Sequence, residues 1–250
     1  MNDSISIEVC VDSLASALAA QRGGAARIEL CGALLEGGIT PSAGSIELAR
    51  TGISIGLQVM IRPRGGDFCY TDEEFETMRR DISVAKRMGA DGIALGVLKT
   101  SGDVDVERTR ELVELARPLN VTFHRAFDMS ADFSRALEDV CSTGADRLLT
   151  SGGESTVEQG APVIERLVKA ARGRIAIMAC GGIVEHNAAR IIKQTGVREI
   201  HVGLRRPAAS PMLYQNPRIS MGATAEREYQ RFQVSEEDVR NLCRAVAEGE

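Results

Sequence analysis

The chain has 250 residues, of which 44% are hydrophobic and 26% charged, a composition typical of an ordinary folded globular protein. Its net charge of −5 and pI of about 5.4 argue against a basic surface for nucleic acid. No apolar run approaches the roughly 18 residues of a membrane span, and the start of the chain lacks the regions of a signal peptide, so we expect a cytoplasmic protein without a membrane partner.

Short apolar alternations predict eight strands along the chain, and apolar residues at 3.6-residue spacing predict eight helices between them. In chain order, the strands are expected within 7–11, 27–32, 55–63, 87–96, 120–128, 142–151, 174–182 and 194–203. The helices are expected over 13–22, 43–51, 72–88, 105–117, 132–142, 158–172, 186–195 and 235–247.

Four segments of the chain repeat one pattern, a glycine followed two to four residues later by an apolar run. The glycines are Gly24, Gly89, Gly144 and Gly196. A glycine just past a helix supplies its left-handed cap, so each segment reads as the end of a helix and the start of a buried strand. Eight strands alternating with eight helices in this length predict an α/β protein, a single-domain (β/α)8 barrel of the TIM type.

Residues 204–234, between the eighth strand and the last helix, show no clear periodicity. A loop of this length in a compact domain is usually functional or an interaction arm. Its part SPMLYQNPRISMG, at 210–222, is rich in methionine and proline. We expect this part to pack over the barrel mouth or onto a neighbouring subunit.

Strand alternation places the less apolar residues of each strand inside the barrel. These residues are Glu8, Cys10, Glu29, Cys31, Gln58, Met60, Arg62, Thr122, His124, Met178, Cys180 and His201. Buried charges are costly unless they are paired, so the set is either a self-satisfied ion-pair core or a ligand site. The polar residues lie toward the carboxyl ends of the strands, where barrel sites form, which favours a site.

Cys10 and Cys31 end the neighbouring first and second strands, so their sulfur atoms are expected to lie close together. Soft thiolates select soft metals such as Cu(I) and zinc. An inert buried pair is the alternative, because most buried cysteines are simply small hydrophobic residues. The six cysteines have no C-x-x-C spacing, and in a reducing cytosol they are expected to be free thiols.

Two loops have residues suited to binding an anion. IRPRGGDFCY, at 61–70, contains Arg62, Arg64 and Asp67. Gly181 and Gly182 follow the seventh strand, where barrels often bind phosphate through backbone N–H groups. Tight turns alone would also explain such a glycine pair.

A third polar group, His124, Arg125 and Asp128, lies near the end of the fifth strand. The spacing of His124 and Asp128 permits an acid–base pair, although no nucleophile or established catalytic motif accompanies it. The catalytic candidates are therefore Glu8, Glu29, His124 and Asp128, and the ligand-binding candidates are Arg62, Arg64, Asp67, Arg125, Gly181, Gly182 and His201.

The sequence resembles the CutC copper-homeostasis family along nearly its whole length. The matching motifs are IEVCVDS, GGAARIELC, EGGITPS, IRPRGGDFCYTDEEF, VTFHRAFDM, RLLTSG, the glycine pair at 181–182, and SPMLYQN to ISMG. The resemblance implies a cytosolic TIM-type barrel, association into homo-oligomers, and a part in copper tolerance through Cu(I) binding. It implies that Cys10 and Cys31 hold the Cu(I). Cys180 matches no family cysteine and is left out of the metal set.

Two functional hypotheses from different classes follow. The first is a copper homeostasis protein that holds Cu(I) between Cys10 and Cys31. The second is a barrel enzyme of the lyase, isomerase or hydrolase type, acting on a small phosphorylated or carboxylated metabolite. In that enzyme Arg62 and Arg64 would bind the anion, and Glu8, Glu29 or His124 would transfer protons. A purely structural oligomer is a third reading and depends only on residues 204–234.

Overall fold

Eight parallel strands close into a barrel in the computed structural model, which describes residues 5–219, 221 and 228–249. Each strand pairs with the next in sequence, and the eighth pairs with the first. The strands are β1 Ser6–Val11, β2 Arg27–Leu30, β3 Gly56–Met60, β4 Gly92–Leu95, β5 Asn120–Phe123, β6 Arg147–Thr150, β7 Ala176–Ala179 and β8 Glu199–Val202. The predicted single-domain (β/α)8 barrel is confirmed.

A helix follows each barrel strand, as the 3.6-residue apolar spacing predicts. The helices are α1 Leu14–Gly23, α2 Ala43–Gly52, α3 Asp72–Arg87, α4 Val106–Ala116, α5 Phe133–Thr143, α6 Val157–Ala171, α7 Glu185–Thr195 and α8 Glu236–Glu248. Thr71 and Glu74 form a capping box at the start of α3. Gly24, Gly144 and Gly196 cap α1, α5 and α7 in the left-handed conformation.

The outward side chains of the strands form the main hydrophobic core. Val9, Ile28, Leu57, Ile93 and Val121 are fully buried members of one large apolar cluster. Since successive side chains of a strand point to opposite faces, the polar residues that alternate with these lie on the inner side of the barrel. The inward side chains of the strands therefore determine what lines the lumen.

The strands after β1 are shorter than predicted at their carboxyl ends. The expected strand at 120–128 ends at Phe123, and Arg125–Met129 forms a 3-10 helix. The cause is local: Nδ1 of His124 accepts a hydrogen bond from the backbone N–H of Ala126, which turns the chain out of the sheet. The functional residues on this side therefore lie on turns that follow the strands.

The segment 204–234 is less irregular than predicted. Two short strands, β9 Arg205–Ala209 and β10 Gln230–Val234, pair as an antiparallel ribbon. The backbone N–H of Val234 donates to the hydroxyl of Ser16 on α1, which ties the ribbon to the barrel. The pattern was missed because Arg205, Arg206 and Pro207 give β9 no apolar alternation.

Between the two ribbon strands, the described part of the predicted interaction arm is exposed. Leu213 is 100% exposed and Met221 is 83% exposed, and Met212, Tyr214 and Ile219 are also largely accessible. Residues 220 and 222–227, which belong to the predicted arm, lie outside the described residues. Residues 1–4 also lie outside them. Within the described parts of the chain, no helix has the length and apolar character needed to cross a membrane.

Candidate metal and ligand site

The floor of the barrel lumen is a closed cluster of ion pairs. Nε of Arg27 donates to Oε2 of Glu8 over 2.6 Å, and the Arg27 guanidinium also pairs with Glu199. Nε of Arg147 donates to Oε2 of Glu199 over 2.7 Å. This end of the lumen therefore resembles the alternative of an ion-pair core, although Nη1 of Arg147 has no partner among the described residues.

Arg27 is the buried cation that sequence reasoning missed. The sequence predicts that the two glutamates and Arg62 pair with one another or with a ligand, but the arginine that pairs with Glu8 is Arg27, which is 7% exposed. The signal was present in the sequence, because Arg27 alternates with Ile28 as Glu29 does and so belongs on the same inner face.

Glu8 joins the floor to the upper part of the lumen through His201. Oε1 of Glu8 lies 2.7 Å from Nδ1 of His201. Burial would raise the pKa of Glu8, but the hydrogen bond with His201 and the charge of Arg27 outweigh it and lower that pKa to about 2. Burial also opposes protonation of His201, yet the charge of Glu29 and the hydrogen bonds to Cys10 and Glu8 hold its pKa well above the ordinary value.

The two predicted thiols meet above this pair. Sγ of Cys10 lies 3.8 Å from Sγ of Cys31, and Sγ of Cys31 donates to Oε2 of Glu29 over 3.5 Å. The hydrogen bond between the two sulfur atoms, together with His201, lowers the pKa of Cys10 to about 5, although burial opposes the change. The same bond and burial raise the pKa of Cys31 well above its ordinary value. Both shifts favour ionisation of Cys10 before Cys31. All six cysteines are free, as predicted.

Cys10 and Cys31 belong to a larger group of possible metal ligands. One ligand atom from each of Cys10, Glu29 and Cys31 lies within 4.8 Å of the others, and the same holds for Glu8, Glu29 and His201. Met60 packs against Cys31 and adds a soft thioether to the surroundings. The arrangement therefore offers sulfur donors from the two cysteines and Met60. It also offers harder nitrogen and oxygen donors from His201, Glu8 and Glu29.

Cys180 stands apart from the thiol pair. It is 2% exposed and packs against Leu149 and Met178 on the other side of the lumen. Burial raises the pKa of Cys180 to about 12, so it is a neutral thiol at physiological pH. This environment is that of a packing residue.

Arg62 uses most of its guanidinium to hold loops together. Nη1 donates to the backbone oxygens of Glu36 and Gly38 at 2.9 and 3.0 Å, and Nη2 donates to that of Gly66 at 2.7 Å. The group also lies over the ring of Phe68, 4.8 Å from its centroid. Of the guanidinium nitrogens of Arg62, Nε is the one without a hydrogen-bond partner among the described residues.

Arg64 and Asp67 do not join the other predicted ligand-binding residues. Nε of Arg64 donates to Oε1 of Glu74 over 2.5 Å, and Nη2 donates to Oδ1 of Asp67 over 3.1 Å. Nη2 of Arg64 also donates to the backbone oxygen of Cys69. These bonds shape the loop at 61–70, and the residues line neither of the two cavities at the mouth.

The expected pairing of His124 with Asp128 is not formed. The carboxylate of Asp128 accepts hydrogen bonds from the backbone N–H groups of Ser151 and Gly153, from the Ser151 hydroxyl, and from Nε of Arg125. Its role is to hold the loop after β6. His124 is 3% exposed, and burial, with the nearby charge of Arg62, lowers its pKa to about 3.

Two cavities open at the carboxyl ends of the strands. The outer cavity has a volume of about 540 Å3, and its lining includes Arg125, Gly181, Gly182, His201, Gly203 and Arg205. The inner cavity has a volume of about 80 Å3, and its lining includes Glu29, Met60, Arg62, Phe68, His124 and Arg125. Arg125 lines both, so the cavities adjoin. The structure thus brings Glu29, Arg62, His124, Arg125, His201 and the glycine pair to one mouth.

Comparisons with known proteins agree with one another. The family model described as the CutC family matches residues 5–205. A mouse protein named copper homeostasis protein cutC homolog is 49% identical over 224 residues, 89% of this chain and 82% of that protein. A CutC family protein of Chromobacterium violaceum is 45% identical over 240 residues, 96% of this chain and 97% of its own. The structure of CutC from Streptococcus agalactiae has a TM-score of 0.76 and 33% identity, covering 79% of this chain and 98% of that one.

Proposed function

The chain belongs to the CutC family, and from this premise we propose that it serves copper homeostasis by binding Cu(I) between Cys10 and Cys31. The observation that carries the proposal is the 3.8 Å separation of the two sulfur atoms. This distance exceeds the roughly 2.05 Å of a disulfide bond, yet it allows both sulfurs to contact one ion. Thiolates are the protein ligands that Cu(I) prefers.

The surroundings of the two sulfurs support a role in holding a soft ion. The pKa of Cys10 is lowered and that of Cys31 is raised, so Cys10 is the sulfur that ionises more readily to bind a metal. Cys31 is 1% exposed, and Gly38 lies directly against it: a Cβ at that position would be 3.2 Å from Sγ. Burial of this kind would shield a bound Cu(I) from water and oxidants.

The test is an anaerobic titration of the reduced, metal-free protein with Cu(I) in competition with a chelator. The wild type is expected to bind one Cu(I) tightly, and the Cys10→Ser/Cys31→Ser variant is expected to lose this binding. The matched control is Cys69→Ser/Cys141→Ser, which removes two thiols from a loop and from α5. Unchanged affinity in the first variant would show that the assigned sulfurs are not the ligands.

We extend the proposal to the setting in which the protein works. We propose that it acts in the cytoplasm, where its free thiols would stay reduced. We also propose that it forms a homo-oligomer through the arm between β9 and β10, which leaves Leu213 and Tyr214 exposed. Light scattering of the wild type and of Leu213→Ser checks this assembly, and a monomeric wild type would exclude it.

A further inference from the structure

The lining of the inner cavity includes three residues with a buried polar atom that finds no hydrogen-bond partner among the described residues. These atoms are Oε1 of Glu29, Nε of Arg62 and Nε2 of His124. A buried polar group without a partner is costly, and native proteins rarely keep several of them around one space. Water takes up about 30 Å3 in the liquid, so a cavity of about 80 Å3 has room for more than a single water molecule.

The three atoms call for a particular kind of chemical group. Nδ1 of His124 accepts a hydrogen bond from the N–H of Ala126 over 3.2 Å, so the ring proton of the neutral imidazole is on Nε2. Nε of Arg62 is likewise a donor, whereas Oε1 of Glu29 is an oxygen of a carboxyl group. A hydroxyl group both accepts and donates hydrogen bonds, so one such group can serve the two donors and the carboxyl oxygen together.

The adjoining outer cavity has the features of an anion site. Among the residues described, the backbone N–H groups of Gly181, Gly182 and Gly203 have no acceptor in the protein. Arg205 lines the same cavity and forms no ion pair within the described part of the chain. Successive free N–H groups beside a guanidinium bind phosphate well, because the group offers several acceptor oxygens.

We propose that the barrel mouth binds a small phosphorylated molecule that also bears a hydroxyl group. The phosphate lies in the outer cavity against Gly181, Gly182, Gly203 and Arg205. The hydroxyl end enters the inner cavity and completes the hydrogen bonds of Arg62 and His124. Arg125 borders both parts, which fixes the direction of the molecule.

This site is separable from the proposed copper site. Cys10 and Cys31 line neither cavity, although His201 borders the outer one and Glu29 the inner one. The phosphorylated ligand therefore needs neither sulfur atom. The charge of Arg205 acts on Cys10, so metal-free Cys10→Ser/Cys31→Ser protein is expected to bind phosphate probes at least as tightly as the wild type. Failure of the copper proposal and failure of this one therefore give different results.

The experiment is calorimetric titration of the metal-free full chain with glycerol 3-phosphate, inorganic phosphate and glycerol. We expect glycerol 3-phosphate to bind about tenfold or more tightly than inorganic phosphate, and glycerol alone to show no measurable binding. Absence of binding by both phosphates up to about 10 mM would overturn the proposal. Equal affinity for the two phosphates would also overturn it, because the inner cavity would then contribute nothing.

Variants test each end of the site separately. At the phosphate end, a Cβ at Gly203 meets nothing within 4 Å, so Gly203→Ala keeps the fold while narrowing the outer cavity. We expect Gly203→Ala and Arg205→Gln each to weaken both phosphates about tenfold. Arg166→Gln on the exposed face of α6 removes the same charge elsewhere and is expected to change neither affinity. Equal effects of Arg205→Gln and Arg166→Gln would overturn the assignment.

At the hydroxyl end, the test variant is His124→Asn. The asparagine side-chain amide lies near the position that Nδ1 has in the wild type, and no asparagine atom reaches the position of Nε2. We expect it to lower the affinity for glycerol 3-phosphate to that for inorganic phosphate. Binding of inorganic phosphate is expected to stay unchanged, which shows that the variant is folded. Undiminished binding of glycerol 3-phosphate by His124→Asn would exclude the inner cavity as the hydroxyl site.

Discussion

Arg27 lies directly opposite Glu8 in the register of β1 and β2, and its Nε donates to Oε2 of Glu8 over 2.6 Å. The Glu8 side chain is 1% exposed and that of Arg27 is 9% exposed, so the pair is removed from water. The Arg27 guanidinium also pairs with Glu199 of β8. One arginine thus neutralises carboxylates from two strands that flank the point where the barrel closes.

Removal of Arg27 is expected to destabilise the barrel strongly. Arg27→Met keeps the side-chain volume but leaves Glu8 and Glu199 without their shared cation, which should cost about 3–5 kcal/mol in the free energy of unfolding. Urea unfolding measures this loss. The control is Arg22→Met, which breaks an exposed pair with Glu236 and should cost less than about 1 kcal/mol. Similar losses in the two variants would contradict a structural role for the floor.

The buried His124 predicts a definite pH dependence of stability. Its pKa in the folded protein is about 3, below the ordinary value of 6.5. As the pH falls below 6.5, the unfolded chain takes up a proton that the folded chain refuses until about pH 3. The free energy of unfolding therefore declines across this range, by at most about 1.4 kcal/mol per pH unit from this group. Stability above pH 6.5 is unaffected by it.

The measurement is urea unfolding at several pH values between 3 and 7 for wild type and His124→Asn. The variant is expected to lose the contribution of His124 to the slope. His186→Asn on α7 alters an exposed histidine and is expected to keep the wild-type slope. A His124→Asn curve parallel to the wild type would show that this imidazole is not the group responsible.

Cys10 is expected to be the most reactive cysteine of the metal-free protein at mildly acidic pH. Its pKa of about 5 keeps it a thiolate at pH 6, whereas burial and neighbouring groups raise the pKa values of Cys31, Cys180 and Cys243. Alkylation by iodoacetamide, followed by mass spectrometry, should modify Cys10 about tenfold faster than the others. Cu(I) loading should protect it, and removal of the metal by a chelator should restore the rate. Protection of Cys69 instead would point to another copper site.

The fit of Gly38 against the sulfur of Cys31 can be tested with a matched pair of substitutions. Gly38 has φ of +87°, and a Cβ there would lie 3.2 Å from Sγ of Cys31. Gly173 has φ of +74° and nothing within 4 Å. Gly38→Ala and Gly173→Ala should each lose about 1–2 kcal/mol in unfolding free energy from the left-handed backbone. Only Gly38→Ala should also weaken Cu(I) binding in the competition titration, and equal affinities would refute the contact.

The barrel and its inner face could be predicted because period-2 alternation and post-helix glycines are local signals. The thiol pair was placed correctly for the same reason, since Cys10 and Cys31 end adjacent strands. The partners of Asp128 could not be predicted in this way. Its position four residues from His124 indicated a pair, but Asp128 instead binds N–H groups on the loop after β6.

Arg62 shows a second limit of sequence reasoning. Its type and place suggested an anion ligand, and three backbone oxygens from two loops take up both terminal nitrogens. Backbone carbonyls leave no trace in the sequence, so their competition for a guanidinium is visible only once the loops are folded. The two unpartnered donors of the inner cavity were hidden for the same reason.

Among the described residues, the floor of ion pairs closes one end of the barrel. Arg27, Glu199 and Arg147 fill the lumen at the amino ends of the strands, so a Cu(I) ion bound as proposed between Cys10 and Cys31 would arrive and depart through the opening at the carboxyl ends. A donor protein and an acceptor protein would have to use that opening in turn, and exchange of copper would proceed by alternating encounters at one face, with no flow through the barrel.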